Sequence, residues 1–367
     1  MVFPCLNEER TVAGCIAEAR EGIEALGHEP EILVVDNGST DRTAQVAEAA
    51  GARVIPEPRP GYGSALDRGI REATGDFIVL GDADGSYRFD ELGPLLAPLE
   101  QGADLVMGSR LRGRIEPGSM PALHRYLGTP VLTRIVNLIF RLEISDVNCG
   151  QRALTPAAAR ALDLRAAGME FASEMIIKAA LAGLKIEEVP VDLRRDRRER
   201  RPHLRTWRDG WRHLRFILLF APNLMLIAPG LALGAVGLVL GGPAFLGRWD
   251  LGAAAAFAGA ALVLVGAQLI QVGILVKTWY HVEGFYPRPY LDRLFRHVGF
   301  EVGLVLGLGL FAVGVVLGVP LLLAWSRNIG VDPSGIAPAL MFLVLGMQVV
   351  AGSVILSVLG IRKRRPS

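Results

Sequence analysis

Cysteine is scarce in this sequence: Cys5, Cys15 and Cys149 are the only three in 367 residues. An odd, widely spaced set with no CxxC pair excludes a disulfide framework and a cysteine zinc site. The six histidines show no HxxxH or HExxH spacing, which removes the usual helical zinc sites. No GxGxxG follows the first apolar segment, so a dinucleotide-binding Rossmann domain is not expected. The N-terminal MVFPCLNEER lacks a basic n-region and an apolar stretch of signal-peptide length, so the first domain is expected to stay in the cytosol. The formal net charge of +2 says little by itself, and no nucleic-acid partner is expected.

What the sequence has in abundance is apolar residues, 51% of the chain, with a mean hydropathy of +0.36. They are unevenly spread. Four runs, at about 216–240, 251–276, 302–325 and 338–361, reach the roughly 20 residues a helix needs to cross a bilayer. Basic residues cluster before the first run, between the second and third, and after the fourth. The positive-inside rule then places both termini in the cytoplasm of a multi-pass inner-membrane protein. Within the runs the polar residues are glutamines such as Gln268, Gln271 and Gln348, whereas a transporter or proton pump would place charge there. Anchoring is the expected role. Plentiful Gly and Ala favour close helix packing and homo-oligomers. Ahead of the first run, Trp207, Trp211, Leu214 and Ile217 recur at helical spacing with arginines on the other face. This predicts an amphipathic interfacial helix whose arginines bind anionic head groups or draw a phosphorylated lipid to the surface. The organisation is therefore a soluble domain over 1–200, the interfacial helix over 201–216, four membrane helices over 217–361 and a basic tail over 362–367.

The soluble part alternates strand and helix signals. Val12, Ile16, Ala19, Ile23 and Leu26 form one helical stripe, and EILVVD at 31–36 is a short apolar strand. ARVIPE, DFIVLG and ADLVMG continue the strands. Such alternation predicts an α/β domain with a mostly parallel, Rossmann-like sheet and ligands at the strands' carboxyl ends. Asn7, Glu8, Asp36, Asp82 and Asp84 fall at those ends. Paired carboxylates such as Asp82 and Asp84 repel one another and call for a cation nearby. The GYG at 61–63 reads as a tight turn.

PCLNEE at 4–9, VVDNGSTD at 34–41, GYGSALDRGIREATGDFIVLGDAD at 61–84 and MGSR at 107–110 together resemble family-2 glycosyltransferases of the GT-A fold. DVNCGQRAL at 146–154, EFASEMIIKA at 170–179 and EVPV at 188–191 are similar to the polyprenyl- and dolichyl-phosphate sugar transferase branch. The resemblance covers roughly residues 1–215. It implies that DAD is a DXD motif whose Asp82 and Asp84, with Ala83 between them, hold Mg²⁺ or Mn²⁺ against a nucleotide sugar such as a UDP- or GDP-hexose. The Asp84 carboxylate is expected at the surface. Pro4, Leu6, Glu8 and Asp36 should line the nucleoside pocket, with Asn37 standing where many members of the family have a second Asp. Arg110 and Arg125 are implied as ligands of a polyprenyl phosphate, and Arg197 stands as the best candidate in the basic loop. Guanidinium groups pair with phosphate through a bidentate fork. Arg152 and Glu174 should flank the site, a placement that a structural ion pair explains equally well.

The activity implied is hexose transfer to a polyprenyl (undecaprenyl or dolichyl) phosphate with inversion at the anomeric carbon. A phosphate monoester whose second pKa is near ~6 is largely dianionic at neutral pH and needs no strong general base. Asp82, Asp84 and Arg110 then act by charge neutralisation. A processive polysaccharide synthase is the nearest rival; its QxxRW motif is missing, and GRWD at 247–250 lacks the glutamine. A non-catalytic lipid-sugar translocation component is the rival of another class. Only three residues precede Pro4, where the family has a longer first strand, so a start further upstream is expected.

Overall fold

A computed structural model describes residues 1–196, 206–245, 252–283 and 300–362. The chain divides into two compact units, Met1–Phe220 and Ala221–Ser367.

In the first unit the apolar runs become seven strands: β1 (Val2–Cys5), β2 (Leu33–Asp36), β3 (Arg53–Pro56), β4 (Ile78–Leu80), β5 (Leu105–Ser109), β6 (Arg152–Leu154) and β7 (Ile186–Pro190). Their order is β3-β2-β1-β4-β6-β5-β7. All pairings are parallel except those of β6, which runs against both β4 and β5. The expected mostly parallel sheet is present, with one reversed strand that periodicity did not signal. Connecting it are α1 (Val12–Glu24), α2 (Thr43–Ala49), α3 (Tyr62–Glu72), α4 (Gly93–Glu100), a π-turn at His124–Gly128 that runs into α5 (Thr129–Phe140), α6 (Pro156–Leu162), α7 (Phe171–Ala182) and α8 (Thr206–Leu219).

Leu33, Val34 and Val35 on β2 are fully buried, as expected of a strand covered on both faces. On α1 the predicted stripe holds for Val12, Ile16, Ala19 and Ile23, whereas Leu26 lies past the helix end and is 41% exposed. Phe3 and Phe89 meet edge-on at 5.0 Å in the core. Each fully buried side chain of this size contributes about 1.5–3 kcal/mol. Connections leave β1 toward β2 on one side and meet β4 on the other. This is the switch point at which an open α/β sheet forms a crevice beyond its carboxyl edge.

In the second unit a π-turn at Asn223–Ile227 continues as α9 (Ala228–Phe245), followed by α10 (Gly252–Val282), α11 (Phe300–Ser326) and α12 (Pro333–Arg362). Four helices are long and apolar enough to cross a membrane, with window hydropathies of 2.2, 2.1, 2.6 and 2.3. The first begins at Asn223, later than the run at 216, because α8 takes up residues 216–219 and Pro222 separates the two. Glycines let the helices approach closely, as predicted. A Cβ on Gly266 would lie 2.5 Å from the Gly230 carbonyl, and one on Gly346 would lie 2.6 Å from the Gly307 carbonyl. Gln271 Nε2 donates to the Gln348 carbonyl at 2.6 Å, tying α10 to α12. The Trp207 side chain, Arg197, most of the basic loop and the tail beyond 362 lie outside the described residues.

Candidate active site

Past β4 the chain turns through Gly81 into Asp82, Ala83 and Asp84. Asp84 is 8% exposed, and its Oδ1 accepts the Ser86 backbone N–H at 2.9 Å. The carboxylate expected at the surface is therefore buried and oriented by the turn that follows it. Asp82 is half-buried, and its Oδ1 accepts the Tyr62 hydroxyl at 2.9 Å. Burial, and then the negative charge of Asp82, raise the Tyr62 pKa well above the phenol range, so the hydroxyl stays protonated and donates. The GYG segment is more than a tight turn. Gly61, at φ 138°, lets the chain enter α3 so that Tyr62 reaches Asp82. Across from it, a Cβ on Gly150 would stand 2.5 Å from Asp82 Oδ2, so the bare glycine leaves room beside that oxygen. Among the described residues no group of three or more His, Cys, Asp or Glu gathers as a metal cluster. The carboxylate pair fits a hard cation that takes its remaining ligands from phosphate and water.

The loops after β1 and β2 interlock beside this pair. Asn7, at φ 60°, accepts the Thr40 N–H at 2.7 Å through Oδ1. Buried Glu8 donates its N–H to Thr43 Oγ1 at 2.7 Å and accepts from the Thr11 hydroxyl at 3.3 Å. Both Asp36 oxygens accept the Ser39 N–H at 3.3 Å, and Asp36 lies opposite Cys5 in the sheet register. Pro4 is half-buried, Leu6 is 37% exposed and Ala83 is buried. Asn37 differs. Its Nδ2 donates to the Glu57 and Arg59 carbonyls at 3.0 and 2.7 Å, and its Oδ1 accepts the Gly61 N–H at 2.7 Å. An amide has two N–H donors, so here both serve the loop that delivers Tyr62.

On the other side Arg110 follows β5. Its Nε and Nη2 donate to the two oxygens of Asp146 at 2.7 and 2.9 Å, and Asp146 is fully buried. Glu188 on β7 fixes that loop by accepting the Ser145 and Asp146 N–H groups at 2.7 and 3.1 Å. Two of the five guanidinium donors are thus used, and three point elsewhere. The Tyr87 hydroxyl accepts the Gly150 N–H at 3.0 Å. Burial and then Cys149 raise its pKa well above normal, with Arg110 opposing and Asp82 adding. Burial and then the Arg110 charge lower the pKa of His124 below its usual 6.5, so the π-turn also lies near Arg110. Arg125, next in sequence, is half-buried with Cζ 5.4 Å from the Tyr126 ring centre.

Arg152 and Glu174 do not pair with each other. Buried Arg152 donates to the Cys149, Ala172 and Val147 carbonyls at 2.9, 2.6 and 2.9 Å. Glu174 binds Lys178 at 2.8 Å and accepts the Arg165 and Ala166 N–H groups. Both hold loops. Tyr62, Tyr87 and Asp146 are the site residues that sequence reasoning passed over. Asp146 opens the DVNCGQRAL motif and Tyr62 lies in the GYG segment, so signals for both were present, whereas nothing local marks Tyr87.

With this geometry in view, residues 1–161 match Glycosyl transferase family 2, and residues 274–360 match the Glycosyltransferase family 2 C-terminal transmembrane region. An uncharacterized glycosyltransferase of Mycobacterium bovis is 38% identical over 195 residues, covering 52% of this chain and 83% of that protein. This chain belongs to glycosyltransferase family 2. A low-salt glycan biosynthesis hexosyltransferase of Haloferax volcanii is 42% identical over 226 residues, covering 61% of this chain. The match spans only 54% of that hexosyltransferase. A dolichyl-phosphate hexose transferase of the same archaeon is 28% identical over 194 residues, covering 53% of this chain and 82% of its own length. The motifs quoted between residues 4 and 154 thus lie within the family-2 match, and the third apolar run and nearly all of the fourth lie within the match to the family's membrane region.

Proposed function

We propose that this family-2 glycosyltransferase moves a hexose from a nucleotide sugar to a polyprenyl phosphate at the cytoplasmic membrane face, with inversion at the anomeric carbon. One observation carries the reading: the short loop 146–150 has the cation Arg110 forked onto Asp146 at one end and the Asp82 carboxylate against Gly150 at the other. A reaction that parts an anionic leaving group from an anionic nucleophile needs that polarity. The similarity to a dolichyl-phosphate hexose transferase supports the acceptor class.

Asp36 and Glu8 hold the nucleoside through hydroxyl and base N–H groups. A divalent cation, Mg²⁺ or Mn²⁺, held by Asp82 and Asp84 would supply charge neutralisation for the departing diphosphate. Tyr62 keeps one Asp82 oxygen in place, and Gly150 leaves the other free of a Cβ. On the attacking side the three guanidinium hydrogens of Arg110 not spent on Asp146 face the acceptor phosphate, with Arg125 as a second cation. Arg197 is retained as a third candidate. The dianionic phosphate oxygen attacks in line, so positioning carries the catalysis.

The test is to incubate membranes containing the full chain with radiolabelled UDP- and GDP-hexoses and extract the products into organic solvent. A mild-acid-labile lipid-linked monosaccharide supports the reading; label in a water-soluble or polymeric product overturns it. Both termini are placed in the cytoplasm, so a reporter active only in the periplasm should stay silent after Ser367.

A further inference from the structure

The first turn of α3, which carries Tyr62, is capped by a loop from far along the chain. Gly63 and Ser64 donate their N–H groups to the Ala167 carbonyl at 2.9 and 3.2 Å. Helix-start donors need a partner of this kind, and no side chain of α3 supplies one at the cap. The approach is close. A Cβ on Gly61 would run into the Ala167 carbonyl, and one on Gly63 into the Ala166 carbonyl. Tyr62, between these two glycines, donates to Asp82 at 2.9 Å.

The capping loop is held in turn by α7. Glu174 Oε2 accepts the Arg165 and Ala166 N–H groups at 3.0 and 2.8 Å. Lys178, one turn further on, pairs with Glu174 Oε1 at 2.8 Å and donates to the Asp163 carbonyl at 2.7 Å. Asp163 sits at φ 40°, a left-handed conformation that persists only where its surroundings fix it. Glu174 and Lys178 are both buried. A buried ion pair is weak evidence for stability, because apolar residues of like volume fill a core as well. Apolar residues cannot, however, accept two backbone N–H groups of a loop.

We propose that Glu174, supported by Lys178, is a positioning residue for the donor side of the site. Through residues 165–167 it sets the start of α3 and so aims the Tyr62 hydroxyl at the Asp82 carboxylate. A metal-binding carboxylate that loses its orienting hydrogen bond holds the cation less well, by about 10- to 100-fold. The effect on metal binding rests on the reading of Asp82 as a metal ligand given above; the effect on Tyr62 does not.

The experiment uses the full chain in detergent micelles, with its six tyrosines replaced by 3-fluorotyrosine. Tyr62→Phe identifies the fluorine resonance of Tyr62, Tyr87→Phe that of Tyr87, and Asp82→Ala shows where the Tyr62 resonance moves once its acceptor is gone. Glu174→Gln should move the Tyr62 resonance toward that position and leave the Tyr87 resonance in place. Should Glu174→Gln misfold, Glu174→Leu with Lys178→Met removes the acceptor and leaves no charge buried. Binding of Mn²⁺ beside UDP or GDP, read from the electron paramagnetic resonance of the free ion, should weaken about tenfold in Glu174→Gln. In the Tyr62→Phe background the same substitution should add nothing. A folded variant whose Tyr62 resonance stays at the parent position overturns the proposal. So does a loss of Mn²⁺ affinity that adds in full to that of Tyr62→Phe. A parent chain that binds no Mn²⁺ would remove the metal assignment alone, and the Tyr62 resonance would still decide the role of Glu174.

Discussion

The two units bury polar chemistry in different ways. Met1–Phe220 takes whole charges inside: Asp146, Arg152, Glu174 and Lys178 are 0, 2, 2 and 5% exposed. Each is met by backbone groups or an opposite charge, and each holds an irregular loop at the sheet edge. Ala221–Ser367 instead removes side chains where helices meet, at Gly230, Gly266, Gly307 and Gly346, and uses a neutral amide, Gln271, to join α10 to α12. Loops need specific donors and acceptors to replace lost ladder bonds. Helices in lipid have satisfied backbones and gain most from close contact. Damage to the first unit should therefore appear as lost chemistry coupled to lost stability, and damage to the second as lost packing alone.

The largest expected effect is at Arg110. Arg110→Ala leaves Asp146 buried without its cation, at a cost of about 3–5 kcal/mol, and should abolish acceptor turnover. Arg110→Lys keeps the charge, loses the planar fork and should recover only part. Thermal unfolding in detergent, read beside acceptor saturation, separates the two losses. If Arg110→Ala proved as stable as the parent, the loop-holding role would be wrong.

Asp84→Ala should lower turnover by about 10²–10³-fold, and the lost bond to Ser86 should destabilise by only about 1 kcal/mol. Sugar transfer is measured with and without EDTA. Undiminished activity of this variant in EDTA would remove the metal assignment.

In the membrane unit, Gly307→Leu places a branched side chain where a Cβ already meets Val350 Cγ2 at 2.6 Å. Overpacking of this kind costs about 1–3 kcal/mol. Resistance to thermal inactivation should fall while turnover per surviving molecule stays at the parent level. A large drop in turnover would show that the spans do more than anchor.

Tyr62→Phe removes the donor to Asp82, worth about 0.5–1.5 kcal/mol. It should raise the KM for the nucleotide sugar several-fold and leave acceptor KM in place. The smallest effect concerns His124, whose folded pKa is lowered below 6.5 by burial and then by Arg110. The unfolded chain therefore binds that proton more strongly. This contribution to stability is full above 6.5 and declines as pH falls through it. Unfolding midpoints of His124→Gln should show a weaker acid dependence between neutral pH and 5 than those of the parent.

The apolar runs of β2, β4 and β5, the stripe of α1 and the four spans could be read directly, because burial on both faces of a strand, on one face of a helix or in lipid leaves a periodic or continuous pattern. The DAD pair and the order of the family-2 motifs were equally plain, since strand-end carboxylates stand out against apolar neighbours. Other features were settled by contacts far apart in sequence. The reversal of β6 depends on strand pairing, which has no local period. Tyr62 reaches Asp82 across twenty residues, Arg110 meets Asp146 across thirty-six, and Asn37 clamps the loop at 57–61. Asp84 is buried because Ser86 and the turn fold over it. Composition and periodicity report which residues avoid water. Which polar group satisfies which is decided only when the loops close, since any of several acids could have met the same arginine in the unfolded chain.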